Sequence, residues 1–524
     1  MSRFHYRLSY GALRMYDLYE RSASLLQTAG MRAPGLRTAA LLLLTLGAVA
    51  RRQPPPPPPN LCDISDRDSK VHCYCETSQD LNQATKTECW VFNGGIEKSD
   101  PFWSSFGSQM NIETLGFNVR TDGGLEFVPT KVLRYLRKLK QFNIKHSAIK
   151  KIDSYTFANV TSVEEMTLTK NQIVKLNRHA FYNLPNLTVL TLDENRISEL
   201  VTETFYELPS LQKLYLTSNN ISVIQGGAFR HLVNLVDLEL DRNNISDLKK
   251  ECFDGLANLK RLDLRKNKLT VLNSFTFTEL WNLQELLLDY NSIYGLAQRT
   301  FDGLSLLRKL SLSNNKLVSL VGGLFEGVRG LASLDLRNNR LQRFTIDNLK
   351  PIYDNLKNQN SLLYLEGNDF ECDCHLAWMH RLRHEARSVR LRTSLERFVC
   401  KATGPPPPNS HYFYERNNIG ANLYEVEDKS DLKEFPEEVD EFHDELDEVD
   451  TKPRAAGENE RTLLQIPVES LPCPQLVKTV TDRTFTHPSQ NEVKDYRNMI
   501  HTSSAFTVHA SFILILVAVV RVVR

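Results

Sequence analysis

Asp237, Glu239 and Asp241 occupy alternate positions of "DLELDRNNISDL", residues 237–248, with leucines between them. Carboxylates two residues apart on an extended chain share one face. Their chemistry is then ionic: they can pair with bases on neighbouring strands or with the bases of a partner. Such bases recur at a fixed distance. One outward column reads Lys213, Asp237, Arg261, Glu285, Lys309, and a second reads Asp241, Arg265, Asp289, Ser313, Arg337. Signs alternate along the first column and along the second as far as the uncharged Ser313, which places Asp237 between Lys213 and Arg261, and Asp241 beside Arg265. These ladders can satisfy themselves, each exposed pair contributing less than about 1 kcal/mol. They can equally form a recognition face that meets a copy of itself shifted by one repeat. Tyr215, Leu287 and Tyr364 share that face and could anchor a contact. The candidate partner contacts are Lys213, Tyr215, Asp237, Glu239, Asp241, Arg261, Arg265, Glu285, Leu287 and Asp289.

Catalytic chemistry has little to build on. His375, His380 and His384 share a segment, but no phosphate-binding glycine loop or metalloprotease motif accompanies them. Zinc at Cys374 and His375 conflicts with export, which oxidises thiols. The expectation is no enzyme, no cofactor and no metal site. A net charge of +1 gives no global case for nucleic acid.

The positions of the acids depend on a repeat. Asn171, Asn195, Asn219, Asn243, Asn267, Asn291, Asn315 and Asn339 are each 24 residues apart. One frame is "LTVLTLDENRISELVTETFYEL", with Leu187, Leu190, Leu192, Asn195, Ile197, Leu200, Phe205 and Leu208. Ser147 stands at the asparagine position of a degenerate first copy, and a last copy ends on Asn368. Leu-x-Leu makes a short strand with two leucines inward. A single repeat cannot bury them, whereas stacked repeats can. The expected fold is an α/β-type solenoid, with a parallel sheet on its concave face and an irregular or short-helical convex side. Phe181, Phe205, Phe229, Phe253, Phe277, Phe301 and Phe325 fill that second side.

The frame separates the two adjacent asparagines. Asn243 turns inward to bond backbone. Asn244 opens Asn-Ile-Ser, a glycosylation acceptor, as do the triplets at Asn159, Asn186 and Asn220. Cys252 precedes Phe253 in a small inward slot and reads as a buried thiol acting as a small hydrophobe.

Export is expected from both ends. "LRTAALLLLTLGAVARRQ" reads as a secretory signal cut near Ala50. "HTSSAFTVHASFILILVAVVRVVR" has small residues, then a short hydrophobic end, as in a glycosylphosphatidylinositol (GPI) attachment signal with Ser503 as the attachment residue; a marginal transmembrane anchor and a secreted protein with a sticky tail are the alternatives. The expected layout is an extension and signal over 1–50, a Pro-rich linker over 51–60 and a cysteine cap over 61–109. About ten repeats follow over 110–370, and a second cap over 371–476 holds an acidic insert at 404–465. A stalk covers 477–503 and the hydrophobic tail 504–524.

Eight of the nine cysteines fall in two clusters: Cys62, Cys73, Cys75 and Cys89, then Cys372, Cys374, Cys400 and Cys473. Even clusters point to two bridges each, with pairing undecided by spacing. "CDISDRDSKVHCYCETSQDLNQATKTEC" and "ECDCHLAWMHRLRHEARSVRLRTSLERFVC" resemble the caps of extracellular leucine-rich repeat proteins. That resemblance implies Cys62 with Cys75, Cys73 with Cys89, Cys372 with Cys400, and Cys374 with Cys473. The whole arrangement, with "NDFECDCHLAWM", resembles the insect connectins, a family of GPI-anchored leucine-rich repeat adhesion proteins. It implies homophilic adhesion at the outer cell surface, in neuromuscular or axon-guidance settings, with membrane contact through a lipid. Alternatives are a ligand-binding receptor or co-receptor without its own signalling domain, and a secreted matrix leucine-rich protein.

Overall fold

A computed structural model describes residues 59–64, 69–77, 83–402 and 460–473. The expected leader, most of the Pro-rich linker, the acidic run 425–450, the stalk and the tail with Ser503 lie outside the described residues. The chain divides into two compact units, Met1–Ile245 with Glu251–Leu262, and Ser246–Lys250 with Asp263–Arg524. No helix among the described residues is long and apolar enough to cross a membrane.

The first unit opens with a disulfide-bonded cap. Strands Val71–Thr77 and Ala84–Val91 form an antiparallel hairpin with Cys73 opposite Cys89. Cys73 is bonded to Cys89, and Cys62 to Cys75. Trp103 and Phe106, from the helical turn Pro101–Ser108, are buried, each with its ring centroid 6.0 Å from that of Phe117. Trp103 donates its indole N–H to the Glu97 carbonyl at 2.8 Å. Strand Thr114–Val119 joins the hairpin in parallel, and Gln141–Lys145 follows it.

From there the pattern is periodic. Strands Glu165–Thr167, Val189–Thr191, Lys213–Tyr215 and Asp237–Glu239 run parallel, one per repeat. Register aligns Met166, Leu190, Leu214 and Leu238, all fully buried. Each such side chain contributes roughly 1.5–3 kcal/mol by leaving water. On the opposite side Phe157–Ala158, Phe181–Tyr182 and Phe205–Tyr206 form a second parallel set. Phe181 stacks on Phe157 at 5.2 Å and on Phe205 at 5.6 Å.

The frame asparagines join successive turns. Asn243 Nδ2 donates to the Leu216 carbonyl of the preceding turn at 2.9 Å, and its Oδ1 accepts from the Ile221 N–H, also at 2.9 Å. Asn219 repeats this with Leu192 and Ile197. The residue before each of the eight evenly spaced asparagines Asn171 to Asn339, such as Lys170, Glu194, Ser218 or Arg242, has a left-handed φ between 52° and 58°. That local twist turns the amide inward without a glycine, at a cost its hydrogen bonds offset.

In the second unit, strands Glu285–Leu287, Lys309–Ser311, Ser333–Asp335 and Leu362–Tyr364 align Leu286, Leu310, Leu334 and Leu363. The last turn is longer and houses two short helices, Ile346–Leu349 and Tyr353–Leu356. Thr345 caps the first through a reciprocal box with Asn348. Helices Trp378–Glu385 and Val389–Arg397 close the stack, with Cys372 bonded to Cys400 and Cys374 to Cys473. Strand Val399–Lys401 pairs antiparallel with Glu460–Thr462.

Candidate partner-binding face

Strand register places side chains from successive repeats in rows, and these rows build the face. In the first unit Lys213 lies opposite Asp237, and Tyr215 opposite Glu239. Arg261 reaches two acids at once. Its Nη1 is 3.2 Å from Asp237 Oδ1 and 2.7 Å from Glu239 Oε1. The first contact runs along the column expected from the sequence. The second is diagonal, which a column-by-column reading does not anticipate.

A cluster of acids lies beside that clasp, around Thr217. The Thr217 N–H donates to Asp193 Oδ1 at 2.8 Å, and the Thr217 hydroxyl donates to Asp241 Oδ1 at 2.6 Å. Burial, with Glu239 and Asp241 nearby, pushes the Asp193 carboxyl up to about 6 despite the Thr217 hydrogen bond. Burial, then the charges of Asp237 and Glu239, pushes the half-buried Tyr215 phenol to about 12. Asp193 was missed at the sequence level. It is two residues before Asn195, as Asp241 is before Asn243, so extending that column backwards finds it.

The second unit solves its charges differently. Arg265 makes a fork with Asp263 of its own strand exit, Nη2 to Oδ2 at 2.7 Å and Nε to Oδ1 at 3.0 Å. Arg337 does the same with Asp335 at 2.6 Å and covers the Tyr364 ring at 4.6 Å. The shared "LDLR" carries both forks. Lys309 pairs with Glu285 across the column at 2.8 Å. Asp289 accepts from the Ser311 hydroxyl and from the Ser313 N–H, the latter at 2.8 Å, and its burial raises its pKa against those bonds.

Exposure sorts the candidate contacts. Lys213 is exposed, and Tyr215, Asp237, Glu239, Arg261, Arg265, Glu285 and Tyr364 are half-buried. Asp241, Asp289 and Leu287 are buried within the strand face. The two aspartates turn in to their hydroxyl and amide donors. Leu287 registers with the small Ser311 and is covered, so it is not an exposed anchor.

Other singled-out residues lie elsewhere. Asn159 and Asn186 are exposed; Asn159 accepts from Asn183 Nδ2 at 2.6 Å, and Asn186 donates to the Thr161 carbonyl at 2.7 Å. Asn220 is exposed and Asn244 half-buried. Cys252 is buried, its Sγ 3.5 Å from the Ile224 carbonyl. His375 bonds Asp373 at 2.9 Å, and His380 and His384 lie on the helix Trp378–Glu385.

A feature that repeat reading overlooked lies on the side opposite the sheet. Tyr155 donates or accepts at His179 Nδ1, 2.9 Å away, while His179 Nε2 lies 3.0 Å from Glu203 Oε2. Tyr182 stacks on Tyr206, which meets His231 at 4.3 Å. The spacing of His179 from Tyr155, one repeat, is the signal that was available.

The leucine rich repeat family model matches residues 137–197, 161–221, 185–245, 233–293 and 281–341. Connectin of Drosophila melanogaster is 37% identical over 105 residues, covering 20% of this chain. The match spans 15% of that relative's length. A chain from the octameric complex of Latrophilin 3, Unc5D and FLRT2 is similar at 25% identity, over 54% of this chain and 87% of that one, with a TM-score of 0.40. One from the Drosophila Toll–Spatzle complex is similar at 20% identity, over 57% and 52%, with a TM-score of 0.37.

Proposed function

From the premise that the chain is a connectin-like leucine-rich repeat protein, we propose that it is a cell-surface recognition protein mediating homophilic cell–cell adhesion. The strand face of the repeats is the binding surface, and a second copy on an adjacent cell is the partner. The observation that carries this reading is the Arg261 clasp between Asp237 and Glu239, flanked by exposed Lys213 and half-buried Tyr215. Both signs stand side by side around an aromatic, so a copy displaced by one repeat sets opposite charges against each other. Charges arranged in this way favour specificity and on-rate more than raw affinity.

Attachment to the outer membrane leaflet is by a GPI lipid at Ser503, and Asn159, Asn186, Asn220 and Asn244 carry glycans. The tail composition and the acceptor triplets support these assignments. Release from cells by an inositol-specific phospholipase tests the anchor, and retention after treatment counts against it.

The adhesion test expresses the chain on non-adherent cells and mixes them with differently labelled non-expressing cells. Clusters of expressing cells alone are the expected result. Asp237→Lys, at a half-buried position of the face, should disperse them while surface display is kept. Unchanged clusters with normal folding remove the strand face from the interface. Mixed clusters identify a different partner, and no clusters at all favours a receptor for a soluble ligand.

A further inference from the structure

The strand face has a notch where the first cap meets the repeats. Across the first three parallel strands two outward rows run side by side. One is Glu88, Gly116, Asn143, and the other is Trp90, Asn118, Lys145. Further along the first row stand Thr167, Thr191, Tyr215 and Glu239. Gly116 is therefore the one place in that row without a side chain. A Cβ there would come within 2.1 Å of Glu88 Oε2. The Glu88 carboxylate lies over the glycine, and Asn118 Nδ2 holds it with a 3.0 Å hydrogen bond. These six residues line a cavity of about 280 Å3. Trp90 leaves 39% of its surface exposed beside it.

The chemistry of the lining selects the occupant. An anion would meet Glu88, and a cation would meet Lys145. A neutral ligand rich in hydroxyls meets no such conflict. Its hydroxyls can donate to the fixed carboxylate and accept from Lys145, while Asn118 and Asn143 offer amide groups of both kinds. Its apolar C–H face can lie on the indole, a large rigid surface with little entropy to lose. The volume sits at the small end of ordinary ligand sites, roughly 300–1,000 Å3, and suits one ring.

We infer that this notch, built by Gly116, Glu88, Trp90, Asn118, Asn143 and Lys145, is a saccharide subsite that takes one neutral pyranose ring of a glycan. It stands apart from the adhesion reading, because sugar binding and cell clustering are separate readouts.

Saturation-transfer NMR on the purified full chain tests it, with D-mannose, D-galactose and N-acetyl-D-glucosamine as probes. A parallel arm passes the chain over immobilised N-glycans. Transfer to ring protons of at least one sugar is expected, with retention on glycans if the ring is read within a chain. Trp90→Ala should weaken binding by about tenfold through loss of the aromatic platform. Gly116→Ala should weaken it comparably by displacing Glu88, and its backbone conformation tolerates a side chain. Glu88→Gln keeps the size and fold should either variant misfold. Trp281→Ala, an exposed tryptophan in the second unit, should bind as wild type. The inference is overturned if no sugar or glycan binds, if Trp90→Ala and Glu88→Gln bind as wild type, or if L-arginine competes fully for the notch.

Discussion

Asp193 and Thr217, one repeat apart, are joined by a 2.8 Å hydrogen bond from the Thr217 N–H to the Asp193 carboxylate. Burial and neighbouring acids there raise the Asp193 pKa from 3.8 to about 6. Between those two pH values the folded chain holds a proton that the unfolded chain has lost. Stability from this group therefore rises as pH falls from neutral through 6, and levels off below about 4. Asp193→Asn keeps the acceptor oxygen and removes the charge. We expect it to stabilise the protein at neutral pH by about 1–2 kcal/mol, after discounting for partial exposure. Urea unfolding of both forms at about pH 7.5 and about pH 5 checks this: the gap should shrink at the lower pH.

Asn243 and Asn244 are neighbours with opposite expected sensitivities. Asn243→Ala removes a bond to Leu216 and one from Ile221, leaving buried backbone groups unpaired. A loss of about 2–4 kcal/mol is expected in urea unfolding. Asn244→Gln should change stability by less than about 0.5 kcal/mol while shifting electrophoretic mobility if a glycan is carried. Equal losses would contradict the division of roles.

Arg261 holds Asp237 and Glu239 together. Arg261→Glu would gather three acids on the strand face. Cell clustering should fall sharply, and clustering by the unaltered protein should weaken as salt rises from about 0.1 M to about 0.5 M. Salt-insensitive clustering would place the contact on apolar residues instead.

Nine cysteines, less the eight in four bridges, leave the buried Cys252. Alkylation should be negligible in the native protein and reach one thiol per chain in denaturant. Cys252→Ala should leave the migration of the unreduced protein unchanged. A dimer band lost on that substitution would reveal an intermolecular bridge.

The solenoid was legible because a constant 24-residue spacing fixes which leucines share a face. Strand register then follows without any knowledge of side-chain geometry. The face was legible only in part. Columns of charge locate Arg261 beside Asp237 and Lys309 beside Glu285. They miss the diagonal reach to Glu239, since a long guanidinium spans two rows. They also miss the forks of Arg265 and Arg337, which close within one strand exit over two residues. Leu287 looked outward by alternation, but its burial depends on what covers it. From Gly116 to its row neighbour Asn143 the spacing is 27 residues rather than 24, so the constant period did not point to the notch.

Lys401 and Glu460 lie opposite each other in an antiparallel pair, and Cys374 is bonded to Cys473 just beyond. The intervening chain leaves and rejoins the cap at one clamped doorway. The same doorway can serve as a socket: a fluorescent domain or an affinity tag spliced between residues 403 and 459 would be held at both ends by the paired strands Val399–Lys401 and Glu460–Thr462.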